Sequence, residues 1–148
     1  MRRRVAFSLT ELVIVVAILG VLAVVTVPRL QLGALHRRQA EVAAAKMAAD
    51  LRLTRRLAVA NAATNNRGFE LNMTGGAPYG GYEIANRDTH EVIASHAIDS
   101  RVCCTGTSKF KFGPLGTLDE DQAQLTFSAD GKTVVVSVVR ATGMVKCR

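Results

Sequence analysis

The feature that most limits what this chain can fold into is an uncharged apolar run, Leu12 to Val27, headed by one carboxylate, Glu11, and closed by Pro28. From Phe7 to Val27 the segment is 21 residues long, close to the ~20 that a helix needs to cross a bilayer. A stretch apolar on every side has no face to turn to water, so it must be covered by lipid or by other protein. Glu11 is the exception within it. A central charge costs roughly 2.5–3.5 kcal/mol on insertion scales, so an ionisable group beside hydrocarbon asks for a function and a partner.

Arg2, Arg3 and Arg4 precede the run, and basic flanks of this kind stay on the cytoplasmic side. The rest of the chain is then expected outside the inner membrane. A secretory signal peptide has the same basic-then-apolar order, but its apolar region runs ~7–15 residues and ends in small residues. Here the run is longer, begins at a carboxylate and ends at Pro28-Arg29 without an Ala-x-Ala pattern. A plain signal anchor leaves Glu11 unexplained. A twin-arginine reading of the leader accounts for fewer of these residues.

The segment Arg4-Val5-Ala6-Phe7-Ser8-Leu9-Thr10-Glu11, followed by the apolar run and Pro28, resembles the N-terminus of type IV pilins and type II secretion pseudopilins. In that family a prepilin peptidase cuts before the Phe and the new N-terminus is methylated. The resemblance implies a cut between Ala6 and Phe7, which makes Glu11 the fifth mature residue and Pro28 the twenty-second. One departure stands at the cut, where the family usually has Gly and this chain has Ala6. The motif implies that Glu11 meets the positive N-terminus of a neighbouring subunit when apolar helices bundle into a helical filament. Both charges must lose water to meet, so the pair serves register more than stability.

A chain of 148 residues suits one domain beyond such an anchor. Without the three leader arginines, 16 basic residues stand against 12 acidic ones, a net +4. That mild excess reads as solvated surface rather than as a nucleic-acid site. Pro28 is expected to kink the helix rather than end it. Arg29 to about Asn61 is rich in good helix formers. Its apolar stripe recurs at Ala40, Ala43/Ala44, Met47, Leu51 and Ala58, the spacing of a helix packed on one side. Lys46 and Asp50 stand four apart and are expected to pair. Arg52, Arg55 and Arg56 read as a solvated face that favours the helix C-terminus. Asn61, Asn65, Asn66 and Gly68 mark the stop.

From Gly68 the period changes to alternation. Strands are expected at 69–72, 79–86, 92–98, 109–112, 124–128 and 133–139, with a short last one at 144–147. Ala129-Asp130-Gly131-Lys132 is a hairpin signal, because Asp-Gly supplies positive φ. The expected fold is α+β: a long N-terminal helix, half transmembrane and half amphipathic, packed on a β-sandwich-like head of antiparallel strands. The expected divisions are 1–6 leader, 7–27 membrane and assembly helix, 28–63 amphipathic continuation, and 64–148 β-rich periplasmic head.

Phe112-Gly-Pro-Leu-Gly116, then Leu125 through Gly131, then Arg140-Ala-Thr-Gly143-Met-Val-Lys146, resembles the GspH/FimT family of minor pseudopilins and minor pilins. Some FimT-like members bind DNA through basic residues near the C-terminal end, which here implies Arg140, Lys146 and Arg148. The family's Gly-Arg-x-Arg-like cluster reads Gly143-Met144-Val145-Lys146, with one basic residue. The resemblance thus implies a minor pseudopilin of type II secretion, with a DNA-binding type IV minor pilin as the alternative. The implied partners are prepilin peptidase, other pilins or pseudopilins and the inner membrane, with DNA only in the alternative.

Cys103, Cys104 and Cys147 are candidates for a disulfide, which an oxidising periplasm permits. The expected bridge joins Cys147 to Cys103 or Cys104, closing a loop of ~43 residues that contributes roughly 3–4 kcal/mol. His36, His90 and His96 are isolated and build no metal site. No nucleophile elbow, phosphate-binding glycine loop or zinc motif is present, so no catalytic residue, metal or cofactor is expected.

Overall fold

The computed structural model describes residues 8–26, 32–120 and 123–148. Ala6, Phe7 and Pro28 lie outside the described residues. The chain divides into two compact units, Met1–Leu32 and Gly33–Arg148.

In the first unit, helix α1 spans Leu9–Thr26. Ser8 precedes it and Glu11 is its third residue, the Ser-x-x-Glu spacing of a capping box. An acid there also suits the positive end of the helix dipole. All described side chains from Leu9 to Leu22 are exposed, on every face of the helix. At ~1.5 Å per residue, the 18 residues of α1 reach about 27 Å, slightly short of a ~30 Å hydrocarbon layer. Among the described residues no helix is long and apolar enough to cross a membrane.

In the second unit, helix α2 runs Leu32–Ala60. Its buried stripe is Ala40, Ala44, Met47, Ala48, Leu51, Thr54 and Ala58, so the apolar positions legible by spacing are the ones that pack. Small residues dominate that stripe. Thr54 would bring a buried hydroxyl, but its Oγ1 donates to the Asp50 carbonyl at 2.7 Å. At the helix end, Asn61 Nδ2 donates to the Leu57 carbonyl at 2.9 Å. Buried Asn65 then accepts from the Arg67 and Gly68 amides at 3.0 and 2.6 Å, turning the chain into the first strand.

Eight antiparallel strands follow: β1 Phe69–Thr74, β2 Gly81–Asn86, β3 Val92–Ala97, β4 Cys103–Gly106, β5 Lys109–Phe112, β6 Ala123–Ala129, β7 Lys132–Val139 and β8 Met144–Cys147. They form two four-stranded sheets, ordered β3-β2-β1-β5 and β4-β6-β7-β8. Alternate residues of β1, β6 and β7 are buried, as period-two strands with one covered face require. One core joins α2 to the inner faces of both sheets, with Phe110, Phe112, Phe127, Leu71, Ile84, Leu125 and Val136 fully buried. Strand β4 had no signal in the sequence. Its four residues bury only Cys104, so they carry no alternation to read.

The expected Lys46–Asp50 pair gives way to a tertiary one. Asp50 Oδ2 accepts from the Tyr82 hydroxyl at 2.5 Å and lies 3.8 Å from His96 Nε2. Burial, with Asp50 adding to it, holds the Tyr82 hydroxyl protonated far above its ordinary range. This neutral donor joins α2 to β2.

The turn residues read from sequence separate into two kinds. Asp130 and Gly131 both have positive φ in the β6–β7 hairpin, and a Cβ on Gly131 meets open space. Gly143 has φ of 61°, and a Cβ there would stand 2.1 Å from the Gly116 carbonyl oxygen. Gly131→Ala is therefore expected to cost only the left-handed strain of roughly 1–2 kcal/mol, and Gly143→Ala clearly more. Urea unfolding of both variants checks this, and equal losses would overturn the steric account.

Candidate functional site

The residues singled out by sequence fall into three places. Glu11 sits in the first turn of α1 with its side chain exposed. Ser8 Oγ and Thr10 Oγ1 share a hydrogen bond of 2.7 Å beside it. The result is an acid at the polar tip of an uncovered apolar helix.

Of the candidate DNA-contacting residues, Lys146 and Arg148 are neighbours and Arg140 stands apart from them. Arg140 follows β7 in the turn toward β8, where its carbonyl accepts from the Leu118 amide at 3.0 Å. It lines a shallow cavity of about 440 Å³ with Thr117, Leu118, Asp119 and Ala141. Lys146 is exposed on β8 in register with Ser137. Arg148 lies past the far end of β8, its backbone paired to Val135 by bonds of 2.7 and 2.9 Å. Lys146 and Arg148 stand two residues apart, about 7 Å at ~3.3 Å per residue, whereas Arg140 follows the opposite end of β7, where Val139 is paired with Met144.

The cysteine expectation is corrected. All three thiols are free. Cys103 and Cys104 stand on β4 and Cys147 on β8, the two opposite edges of one sheet, with β6 and β7 between them. Three strand spacings of ~4.8 Å make about 14 Å, whereas a disulfide needs Cα atoms ~4.4–6.8 Å apart. Nothing in the spacing of cysteines along a chain reports which edge of a sheet each will occupy. Burial pushes the Cys104 thiol up to about 12, with Cys103 beside it adding to the effect.

Sequence reading missed where Arg52, Arg55 and Arg56 point. They line a cleft against Thr142–Val145, the turn into β8, instead of forming only a solvated face. Their i, i+3, i+4 spacing was the signal; the facing turn was invisible until folded. Nearer the start of α2, Glu41 is paired with Lys132 of β7, and that hydrogen bond holds its carboxyl below the usual range.

No protein-family model matches the chain, and no curated protein matches it. Its structure is similar to the type IV minor pilin FimU of Pseudomonas aeruginosa strain PAO1. The TM-score is 0.61 at 18% identity, covering 76% of this chain and 90% of that one. The chain therefore has a pilin-like fold.

Two consequences concern the thiols. In the native protein a neutral alkylating reagent should label two cysteines, Cys103 and Cys147, with Cys104 joining only in urea; mass spectrometry counts the adducts. Three adducts without denaturant would overturn the burial of Cys104, and fewer than three in urea would restore a disulfide. Because the folded Cys104 thiol titrates above the ordinary 9.0 of the unfolded one, the unfolded state loses its proton first. Stability should then fall as pH rises from about 9 toward about 12.

Proposed function

We propose that this chain is a structural minor pseudopilin of a type II secretion system, a non-catalytic subunit of a pilus-like filament. In this reading prepilin peptidase cuts between Ala6 and Phe7 and the new N-terminus is methylated. Phe7–Val27 anchors the chain in the bacterial inner membrane as a single span. Residues 28–63 continue as an amphipathic helix, and 64–148 form the periplasmic head. Assembly then moves the apolar helix from lipid into a bundle of like helices, with Glu11 and Pro28 as the residues that set it there.

The observation that carries this reading is the uncovered α1. Ten large apolar side chains between Leu9 and Leu22 are exposed, and each is worth about 1.5–3 kcal/mol when buried. Nothing in water offsets that exposure. Lipid satisfies it first, and neighbouring helices can replace lipid at little net cost, since tails are as apolar as leucine. Exchange between the two surroundings is what a filament subunit drawn from a membrane needs. A lone carboxylate at the helix tip then supplies direction, because it is the group that gains most from a cationic N-terminus in low dielectric.

The second reading is a FimT-like minor pilin that binds DNA for natural transformation. The minor-pilin fold neighbour and the net positive charge favour it. The separation of Arg140 from Lys146 and Arg148 weighs against it.

Membrane-extracted protein is expected to begin at N-methylated Phe7, as read by intact mass. An unprocessed Met1 would remove the assembly reading. Glu11→Gln should still enter the membrane but lose incorporation into sheared filaments; unchanged incorporation would deny Glu11 its role. For the second reading, DNA affinity of the full chain in detergent should drop steeply with salt and with charge reversal at Lys146 and Arg148. Affinity indifferent to those changes leaves the pseudopilin reading in place.

A further inference from the structure

The cleft between α2 and the turn into β8 is lined by three cations and no carboxylate. Arg52, Arg55 and Arg56 form one wall, and Thr142, Gly143, Met144 and Val145 the other, around a cavity of about 390 Å³. Residues three and four apart on a helix are neighbours, so the three guanidiniums repel one another. Four other cations of the head each meet a carboxylate: Arg87 meets Asp119, Arg101 meets Asp99, Lys111 meets Glu120 and Lys132 meets Glu41. Among the described residues no ion pair is made by Arg52, Arg55 or Arg56.

Two of the three arginines are aimed by the fold. Arg55 is part-buried, and its Nε donates to the Gly116 carbonyl at 3.1 Å. Arg52 Nη2 donates to the Val145 carbonyl at 3.3 Å. The room for Arg55 depends on Gly143, where a Cβ would stand 2.8 Å from both its Cδ and its Nε. Each of these bonds uses one N–H and leaves the rest of the fork available. Arg56 is exposed on the same wall. Two backbone amides of the facing turn are already used: that of Gly143 donates to the Val139 carbonyl at 2.7 Å and that of Met144 to Thr142 Oγ1 at 3.3 Å. Recognition at this place would therefore come from guanidinium donors, whose planar forks match oxyanions bidentately.

The geometry points to a binding site for a tetrahedral oxyanion of the phosphate class, held by Arg52, Arg55 and Arg56 over the Thr142–Val145 turn. The ligand neutralises the clustered positive charge, and an arginine anchored through one N–H presents its remaining donors with less freedom to lose. This site rests on neither reading of the filament: it needs only the folded head. It also differs from the candidate DNA-contacting set, since none of Arg140, Lys146 and Arg148 lines the cleft.

The full chain in detergent micelles is titrated with inorganic phosphate, and separately with the phosphodiester of a thymidine dinucleotide. Both titrations are followed by calorimetry and thermal unfolding, with ionic strength held constant by chloride. Saturable heat and a raised unfolding temperature are expected from a ligand that binds only the folded state. Response to inorganic phosphate identifies a free anion as sufficient, and response to the diester alone identifies a nucleic-acid backbone as the source. Arg52→Gln with Arg56→Gln should weaken binding by at least ~10-fold, as loss of charged hydrogen bonds implies. Arg56→Gln by itself should unfold in chloride at a temperature equal to or above the parent, since it relieves repulsion, which separates lost binding from lost folding. Lys109→Gln, at the exposed first position of β5, should bind as the parent does. No response beyond chloride to either ligand, unchanged affinity in the double variant, or equal loss in Lys109→Gln would each overturn the site.

Discussion

The head depends on the burial of one face of α2 against two sheets at once. That face is built from Ala40, Ala44, Ala48 and Ala58, with Met47 and Leu51 as its two large members. Small residues leave room on the helix side, and the aromatic side chains Phe110, Phe112 and Phe127 fill the space from the sheet side. Each of those large side chains contributes about 1.5–3 kcal/mol by leaving water. A bulkier stripe would have to be matched by smaller residues across the core, because protein interiors tolerate neither voids nor overpacking.

Around that apolar contact runs a set of polar ties from α2 to nearly every part of the head. Asp50 takes the Tyr82 hydroxyl of β2, Arg52 reaches the Val145 carbonyl of β8, Arg55 reaches Gly116 between β5 and β6, and Glu41 pairs with Lys132 of β7. These contribute less to stability than burial does, but they are directional. A helix packed through small apolar residues alone could slide by a turn along its axis. Hydrogen bonds to both sheets at four points along α2 remove that freedom. Asn65 closes the arrangement by satisfying the amides where helix becomes strand.

The two units of the chain solve opposite problems. The head buries its apolar surface within itself and leaves its charges outside. Helix α1 does the reverse, presenting apolar side chains on every face with a single acid in its first turn. A segment of that kind is stable only in the company of lipid or of other helices, which makes its surroundings part of its structure. The pilin-like fold shared with FimU at 18% identity shows how little of the head's residue-level detail the architecture demands, provided that the pattern of burial is kept.

Much of this was legible in the sequence because it depends on local period. The apolar run, the stripe from Ala40 to Ala58, the alternation along β1, β5, β6 and β7 and the positive φ of Asp130-Gly131 are all properties of neighbouring residues, and the structure has them where the pattern put them. What depends on which strand lies beside which was not legible. Strand β4 buries one side chain and leaves no period to detect. Cys147 and the Cys103–Cys104 pair sit at opposite edges of one sheet, a fact of strand order that no spacing along the chain encodes. Asp50 takes Tyr82 rather than Lys46, since a donor buried against the carboxylate outcompetes a solvated one on the same helix. The three arginines of α2 become a cleft only because the turn into β8 is folded over them. By itself the sequence determined where apolar surface would be and what shape each segment would take, through periodicity and turn chemistry. The tertiary structure alone decided which polar groups would meet, because those encounters are set by strand order and close approach rather than by separation along the chain.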